Sequence, residues 1–428
     1  MSRRENYRKY KGGEDLFAME KIHNYKINIR LYKYYILFST ALFVWPIEVL
    51  FFKNRGMLYT DIMIVESIIS ITQLIMEIPS GVIADKIGYR KAVLTGILTE
   101  ILAMIVLISS HGLVGAYIYS IFLGIGSAMI SGTDTALLYE SHILLQEEQV
   151  YIQTIRQAGT LKMWALAIVS VISGMLFNVN PNYPYIFSIV FLLVAFCIVL
   201  LFKEVKVCDK RKEDTIDLNC IKQTFLRESK IRWIILIALL FNFLFSDLNY
   251  LMQAYMVSLN VEINNFGIVF FICNVISAVS FTYSGKIEMA LKQNTRLVMT
   301  VIIVIIFVCA GCFQNYYCLF LLCFTRVCVA TVMPILNVTI NRNIISASRA
   351  TLLSVYNAII CIFMAAYDPI IGGLIDRLGI QRVYLIIGMI GVVLSLLLIM
   401  EKMKAKKEKI VEEVSDYEQK NRNSKFVL

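Results

Sequence analysis

The feature that most constrains this chain is a series of long, nearly uncharged apolar runs. Examples are Tyr35 to Phe52, Ile234 to Phe245 and Val298 to Cys309, each bracketed by short polar segments. A run of about 20 apolar residues spans the roughly 30 Å hydrocarbon core of a bilayer as a helix. Lipid offers no partner for backbone N–H and C=O groups, so a run of this kind is a helix and not an open strand. A membrane β-barrel would show short alternating segments instead. Composition agrees: 58% of the 428 residues are hydrophobic and only 17% are charged, against about a quarter charged in soluble domains.

The pattern predicts an all-α integral membrane protein with twelve transmembrane helices. They fall at about 33–53, 61–83, 91–110, 113–138, 158–178, 184–203, 231–257, 267–285, 297–314, 317–338, 351–373 and 383–400. Placing both termini in the cytoplasm puts roughly 36 of the 41 basic residues in inner segments. Lys53, Arg55, Arg377 and Arg382 remain outside, and Arg326 lies mid-helix. This asymmetry implies a multi-pass protein of the cytoplasmic (inner) membrane. It also accounts for the net charge of +10 without nucleic acid as a partner. The basic tails read as topology signals that touch anionic lipid. The polar, basic start is not a cleavable signal peptide.

The longest inner loop, 204–230, divides the chain. The expected organisation is a tail at 1–32, a six-helix bundle at 33–203, a linker at 204–230, a second six-helix bundle at 231–400 and a basic tail at 401–428. Ile216 to Phe225 reads equally as an amphipathic surface helix or a solvated linker. Weak repeats support two pseudo-symmetric halves. Ser80-Gly81 ends the second helix and Ser284-Gly285 the eighth; Ile172 to Leu176 ends the fifth and Ile371 to Ile375 the eleventh. Duplicated bundles of this type rock around a midplane binding site. Ten cysteines lie mostly in apolar runs, where cysteine acts as a small hydrophobe. None has metal-site spacing, and Cys312 and Cys318 flank an outer loop close enough in sequence to pair.

After the second helix comes Gly81-Val-Ile-Ala-Asp-Lys-Ile-Gly-Tyr-Arg-Lys91. Its glycines permit close helix approach and a tight turn. Asp85 is a carboxylate placed to meet a base and the positive N-terminus of a neighbouring helix. This segment resembles the loop signature of the major facilitator superfamily, between the second and third helices. The resemblance implies the twelve-helix fold of that superfamily, alternating access, and a gating role for Gly81, Asp85, Gly88 and Arg90. Ser131 to Glu140, Gln253 to Met256 and Arg349 to Ser354 are similar to one bacterial branch. Tyr89 stands where a basic residue is usual, and the second-half copy at Gly285 lacks the aspartate. Gly373-Leu-Ile-Asp-Arg-Leu-Gly379 looks like the motif again, but parity places it outside, so it is not counted as a second latch. Ser120 replaces the arginine usual in the fourth helix of drug–proton antiporters, and the fifth lacks their Gly-Pro pair.

A charge at mid-bilayer costs at least about 2.5–3.5 kcal/mol, so each calls for a partner or a watery cavity. Glu66, Ser70, Gln73, Glu77 and Ser80 form one stripe of the second helix; Asn242, Ser246, Asn249 and Gln253 one stripe of the seventh. The first helix has Trp45, Pro46 and Glu48, the fourth Ser127, Ser131 and Asp134, the tenth Arg326 and Asn337, the eleventh Asn357 and Asp368. Small polar residues also act as helix–helix glue. The candidate substrate or coupling residues are Glu48, Gln73, Glu77, Asp134, Asn249, Gln253, Arg326 and Asn357. Arg326 requires a carboxylate partner, and Asp134, Glu48 and Asp247 are the candidates. By family resemblance, the first, fourth, seventh and tenth helices line the cavity. The three histidines (His23, His111 and His142) read as surface residues.

The carboxylate excess favours protons as coupling ion or a cationic substrate. The expected function is secondary transport by a monomer, with export of a small amphipathic or cationic compound ahead of uptake of a nutrient. A non-transporting receptor on a transporter fold is the alternative from another class. No Walker motif is present to bring ATP, no catalytic cluster suggests an enzyme, and no metal or other cofactor is implied.

Overall fold

The computed structural model describes residues 13–205, 229–245, 248–343 and 349–425, all helical or in short turns. The helices are α1 (Gly13–Thr40), α2 (Glu48–Asn54), α3 (Tyr59–Ile87), α4 (Tyr89–Ser109), α5 (Leu113–Ile130), α6 (Thr133–Leu144), α7 (Glu148–Val179) and α8 (Tyr183–Leu201). They continue as α9 (Ser229–Phe245), α10 (Leu248–Ser258), α11 (Ile263–Leu291), α12 (Thr295–Cys312), α13 (Tyr316–Cys323), α14 (Thr325–Asn343), α15 (Arg349–Leu378) and α16 (Ile380–Lys425). Among the described residues, 11 helical stretches are long and apolar enough to cross a membrane. The first predicted span is split between α1 and α2, which brings the count to the expected twelve. The chain is a multi-pass, all-helical membrane protein. The linker segment Ile216 to Phe225, Ser246 and Asp247 lie outside the described residues, as do the side chains of His23 and Asn337.

Two compact units are present. The first comprises Met1–Ile221, Asp247–Ala278 and Ala350–Ile380, so that α10, the start of α11 and most of α15 pack with α1 to α8. An extensive seam joins α4 to α5, where a Cβ on Gly96 would lie 2.9 Å from the Gly126 carbonyl. The second unit holds Lys222–Ser246, Val279–Arg349 and Gln381–Leu428. There α12 packs on α14, and Arg296 pairs with Glu401 at 3.3 Å. Cys312 and Cys318 are free thiols; the Cys318 Sγ instead reaches the Cys309 carbonyl at 3.4 Å.

The first span departs from the expected continuous helix. Helical bonding stops after Thr40 and resumes at Glu48. Pro46 has no N–H to give, and its ring disfavours α conformation at Trp45. The freed backbone groups find side chains from three other helices. The Phe43 N–H donates to Ser188 Oγ at 2.9 Å, while Ser188 Oγ donates onward to the Pro184 carbonyl at 2.8 Å. Ser173 Oγ donates to the Phe43 carbonyl. Gln253 closes the far side of the break: its Nε2 donates to the Trp45 carbonyl at 3.1 Å, and its Oε1 accepts the Val49 N–H at 2.9 Å. Ser173, Ser188 and Gln253 are all fully buried. The fourth span, also expected to be continuous, is interrupted at Ser131-Gly132 between α5 and α6. Gly132 takes φ +77°, a conformation open to glycine at little cost.

Two further details correct the sequence reading. His142 is buried, not on the surface, and its Nε2 lies 3.2 Å from Thr154 Oγ1. His111 is exposed as expected. The region taken as an N-terminal tail already contains α1, and Asn28 is fully buried within it. Asn28 Nδ2 donates to Ser141 Oγ at 3.1 Å and to the Lys203 carbonyl at 2.9 Å; its Oδ1 accepts the Lys203 N–H at 2.7 Å. One asparagine thus ties together α1, α6 and the end of α8.

Replacing Gln253 with alanine leaves the buried Val49 N–H and the part-buried Trp45 carbonyl without their partner. The expected loss is about 1–3 kcal/mol for each group so stranded, read as a lowered melting temperature of the detergent-solubilised protein. Gln253→Glu keeps the acceptor for Val49 but sets a buried carboxyl oxygen against the Trp45 carbonyl, so it should also be destabilised.

Candidate functional site

The two helix interruptions open onto one cavity inside the first unit. Its volume is about 520 Å³, within the range of small-molecule sites. Trp45 and Pro46 line it from the first break, Ser131 and Gly132 from the second, and Asn249 from the start of α10. Irregular backbone survives at membrane depth where it is enclosed by protein or faces a cavity. Both conditions are met here: buried side chains hold the first break on one side, and the cavity borders it on the other.

Charged groups converge on the same space. Glu100 of α4, Asp134 of α6 and Lys162 of α7 all line it. Glu100 is only 8% exposed and accepts a 3.2 Å hydrogen bond from Ser127 Oγ. Asp134 stands in the first turn of α6, where the helix N-terminus favours negative charge. Its Oδ1 accepts the Thr135 N–H at 2.6 Å. Lys162 lines the same cavity and supplies a positive charge near Asp134. Ser39, Ser170 and Asn274 add neutral polar surface, with Asn274 Nδ2 donating to Ser170 Oγ at 3.2 Å. The wall thus combines two carboxylates, one ammonium and hydrogen-bonding groups with the aromatic faces of Tyr35, Trp45 and Phe270.

A third carboxyl group is sealed away from this cavity. Glu48 is 3% exposed. It accepts the Tyr250 hydroxyl at 3.0 Å on Oε2 and the Tyr119 hydroxyl at 3.4 Å on Oε1. Glu48 and Tyr250 thus meet at the junction of α2 and α10, with Glu66 of α3 acting electrostatically on the same phenol.

Of the residues singled out from sequence, Asp134 and Asn249 stand on the cavity wall. Glu48 is next to the first break, and Gln253 spans it. Gln73, Glu77 and Asn357 are exposed and lie off the wall. Arg326 is half-buried in the second unit, while Glu48 and Asp134 belong to the first. Within the loop motif, Arg90 donates to the Val199 carbonyl at 3.2 Å and to the Leu200 carbonyl, at the C-terminal end of α8, where cations are favoured. Its backbone N–H reaches Glu204 Oε1 at 3.3 Å. Asp85 and Gly81 are exposed.

Glu100 and Lys162 were not anticipated. The signal for Glu100 was present: a lone acid in the apolar run Gly96 to Met104 meets the rule that an ionisable group in a span needs a partner or a cavity. Lys162 was counted with the inner loop because it lies near the start of a predicted span. The structure begins that helix at Glu148, which draws Lys162 into the fold.

A family model described as the Major Facilitator Superfamily matches residues 34–367. No curated protein matches the sequence. Solved structures do. The nucleoside transporter NupG superimposes with TM-score 0.70 at 12% identity, covering 88% of this chain and 98% of that one. A D-xylose-proton symporter gives TM-score 0.68 at 12% identity, with 90% and 97% coverage. The human organic anion transporter MFSD10 gives 0.60 at 15% identity, with 87% and 99% coverage. At these identities the likeness concerns the fold.

The cavity makes a simple accessibility prediction. In a background without native thiols, Ser39→Cys and Ser131→Cys should react with a small water-soluble maleimide, read as a mass increase on the intact protein. Ser188→Cys, which is fully buried, should stay unmodified under the same conditions.

Proposed function

Starting from the fact that the chain belongs to the major facilitator superfamily, and so is a membrane transporter and not an enzyme, we propose that it exports a small cationic or amphipathic compound in exchange for protons. The observation that carries this reading is the cavity wall, with Glu100 and Asp134 against the single ammonium of Lys162. Two carboxylates against one ammonium favour an electropositive ligand, and Tyr35, Trp45 and Phe270 supply apolar and cation–π surface. A carboxylate in such a cavity accepts either a proton or a cationic group, but not both at once. That competition suffices for exchange: proton binding releases the compound, and compound binding releases the proton. The sealed Glu48 offers a second proton site next to the first helix break. Termini in the cytoplasm, as the basic-residue asymmetry indicates, place the helix 1–helix 2 turn outside.

The test is proton flux in inside-out vesicles, followed with a pH-sensitive dye during addition of cationic, zwitterionic and neutral compounds. Compound-dependent proton release is expected for the parent. It should fall at least about tenfold in Glu100→Gln and in Asp134→Asn, the factor corresponding to one lost charged contact of about 1.4 kcal/mol. Glu77→Gln, off the cavity wall, should retain it. No release with any compound would remove proton-driven export.

The second reading is uptake of a small nutrient. Two of the matched structures are named a nucleoside transporter and a D-xylose-proton symporter, and the neutral polar groups Ser39, Ser170, Asn249 and Asn274 would suit a hydroxylated solute. Gradient-driven accumulation of a labelled nucleoside or pentose by intact cells producing the protein would favour it over export.

A further inference from the structure

The end of α15 carries a segment that parity alone had set aside. Gly372-Gly-Leu-Ile-Asp376-Arg-Leu-Gly379 has the same spacing as Gly81-Val-Ile-Ala-Asp85-Lys-Ile-Gly88. In both, a glycine precedes the aspartate by four residues, a basic residue and an aliphatic one follow it, and a second glycine ends the helix. That terminal glycine has positive φ in both, +96° at Gly88 and +82° at Gly379. Each also returns its N–H at 2.9 Å to the residue four back, Ala84 or Ile375. Two helices therefore end in the same way, one after the second span and one after the eleventh.

The α15 copy is engaged. Asp376 receives the Tyr59 N–H on Oδ1 at 2.9 Å, and the Thr60 N–H and Thr60 Oγ1 on Oδ2 at 2.7 and 2.6 Å. These are the first N–H groups of α3, which have no partner within their own helix. Asp61 takes the Leu58 N–H just before them at 2.9 Å. The backbones touch as well. A Cβ on Gly372 would lie 2.6 Å from the Tyr59 carbonyl oxygen and 2.7 Å from the Thr60 Cα, so no residue larger than glycine fits without displacement. The α3 copy is in the opposite condition. Asp85 and Gly81 are exposed, a Cβ on Gly81 meets nothing within 4 Å, and Asp85 has no hydrogen-bond partner among the described residues.

We propose that Gly372–Gly379 is a second latch, which closes the fold at the end of the helix 1–helix 2 turn, and that it alternates with the Gly81–Gly88 latch at the other end of α3. At the α15 copy a carboxylate caps the N-terminus of a helix from the other half of the sequence, across a glycine that admits backbone contact; the matching spacing of Gly81–Gly88 offers the same chemistry to a helix N-terminus at the other end. The three bonds to Asp376 are exposed to water, so water replaces them when the latch opens and release is readily reversible. In this structure Asp376 is bonded to the start of α3 while Asp85 is exposed. Alternating access requires that the two ends of the fold not be closed for good, and two matched latches at opposite ends of one helix meet that requirement.

The test places nitroxide labels at Leu58→Cys and Leu378→Cys, both on exposed positions, in a thiol-free background reconstituted in nanodiscs. Distances are read by double electron–electron resonance. The parent should give a dominant short distance. Asp376→Asn should make a longer distance the major population, and Asp85→Asn should leave the short one alone or sharpen it. An unchanged distribution in Asp376→Asn, with the parent's melting curve, overturns the proposal. Should that variant fail to fold, Thr60→Ala decides: a new longer population supports the latch, and the parent distribution overturns it. The inference uses alternating access but not the direction or the substrate. A lengthened distance together with no transport of any compound would leave the latch in place and remove the export reading.

Discussion

Everything in the first unit follows from one constraint: inside lipid, each backbone N–H and C=O must find a partner within the protein. Most of the eleven apolar stretches among the described residues meet it by staying helical. The first span does not, because Pro46 interrupts its hydrogen bonds. The exposed groups of Phe43, Trp45 and Val49 are met by Ser173, Ser188 and Gln253, which come from three other helices. Those side chains are fixed in number and direction, so the break also fixes how α7, α8 and α10 sit around α1 and α2. The cavity then opens on the side of the break that these residues do not cover.

The same constraint sorts the polar side chains by use. Gln253 looked like a ligand group on a polar stripe, but both ends of its amide serve the backbone. Asn28 likewise spends its amide on Ser141 and Lys203. By contrast, Glu100 and Asp134 hold local hydrogen bonds and still border open space. A carboxylate has more acceptor positions than these few donors fill, and the remainder faces the cavity. Groups whose capacity is exhausted hold the fold, and groups with capacity to spare can bind.

Charge at helix ends recurs as the means of joining segments that lie far apart in sequence. Arg90 meets the carbonyl end of α8, Arg55 meets the carbonyls of Leu107 and Ser110 at 2.7 and 3.0 Å at the end of α4, and Asp376 meets the amide end of α3. In each case the sign of the side chain matches the helix dipole. Such contacts form and break at the surface without disturbing the apolar packing beneath, which is the property required where a transporter changes conformation.

The sequence by itself determined the all-helical membrane fold, its twelve spans and the family. These depend on run length, hydropathy and one loop motif, and all are local. It also supplied Asp134 and Asn249 of the cavity wall, because a polar group in an apolar run is conspicuous. The tertiary structure alone decided the rest. Whether Pro46 bends a helix or breaks it depends on whether Ser173, Ser188 and Gln253 are present to take the freed groups, and they lie more than a hundred residues away. Whether Glu100 lines a cavity and Glu77 does not depends on which face of each helix meets a neighbour. Whether Asp376 ends a helix or caps another depends on α3 beginning within hydrogen-bond reach of it. Periodicity gives the face of a helix but not its partner, and partnership across the fold is what turns these residues into a site.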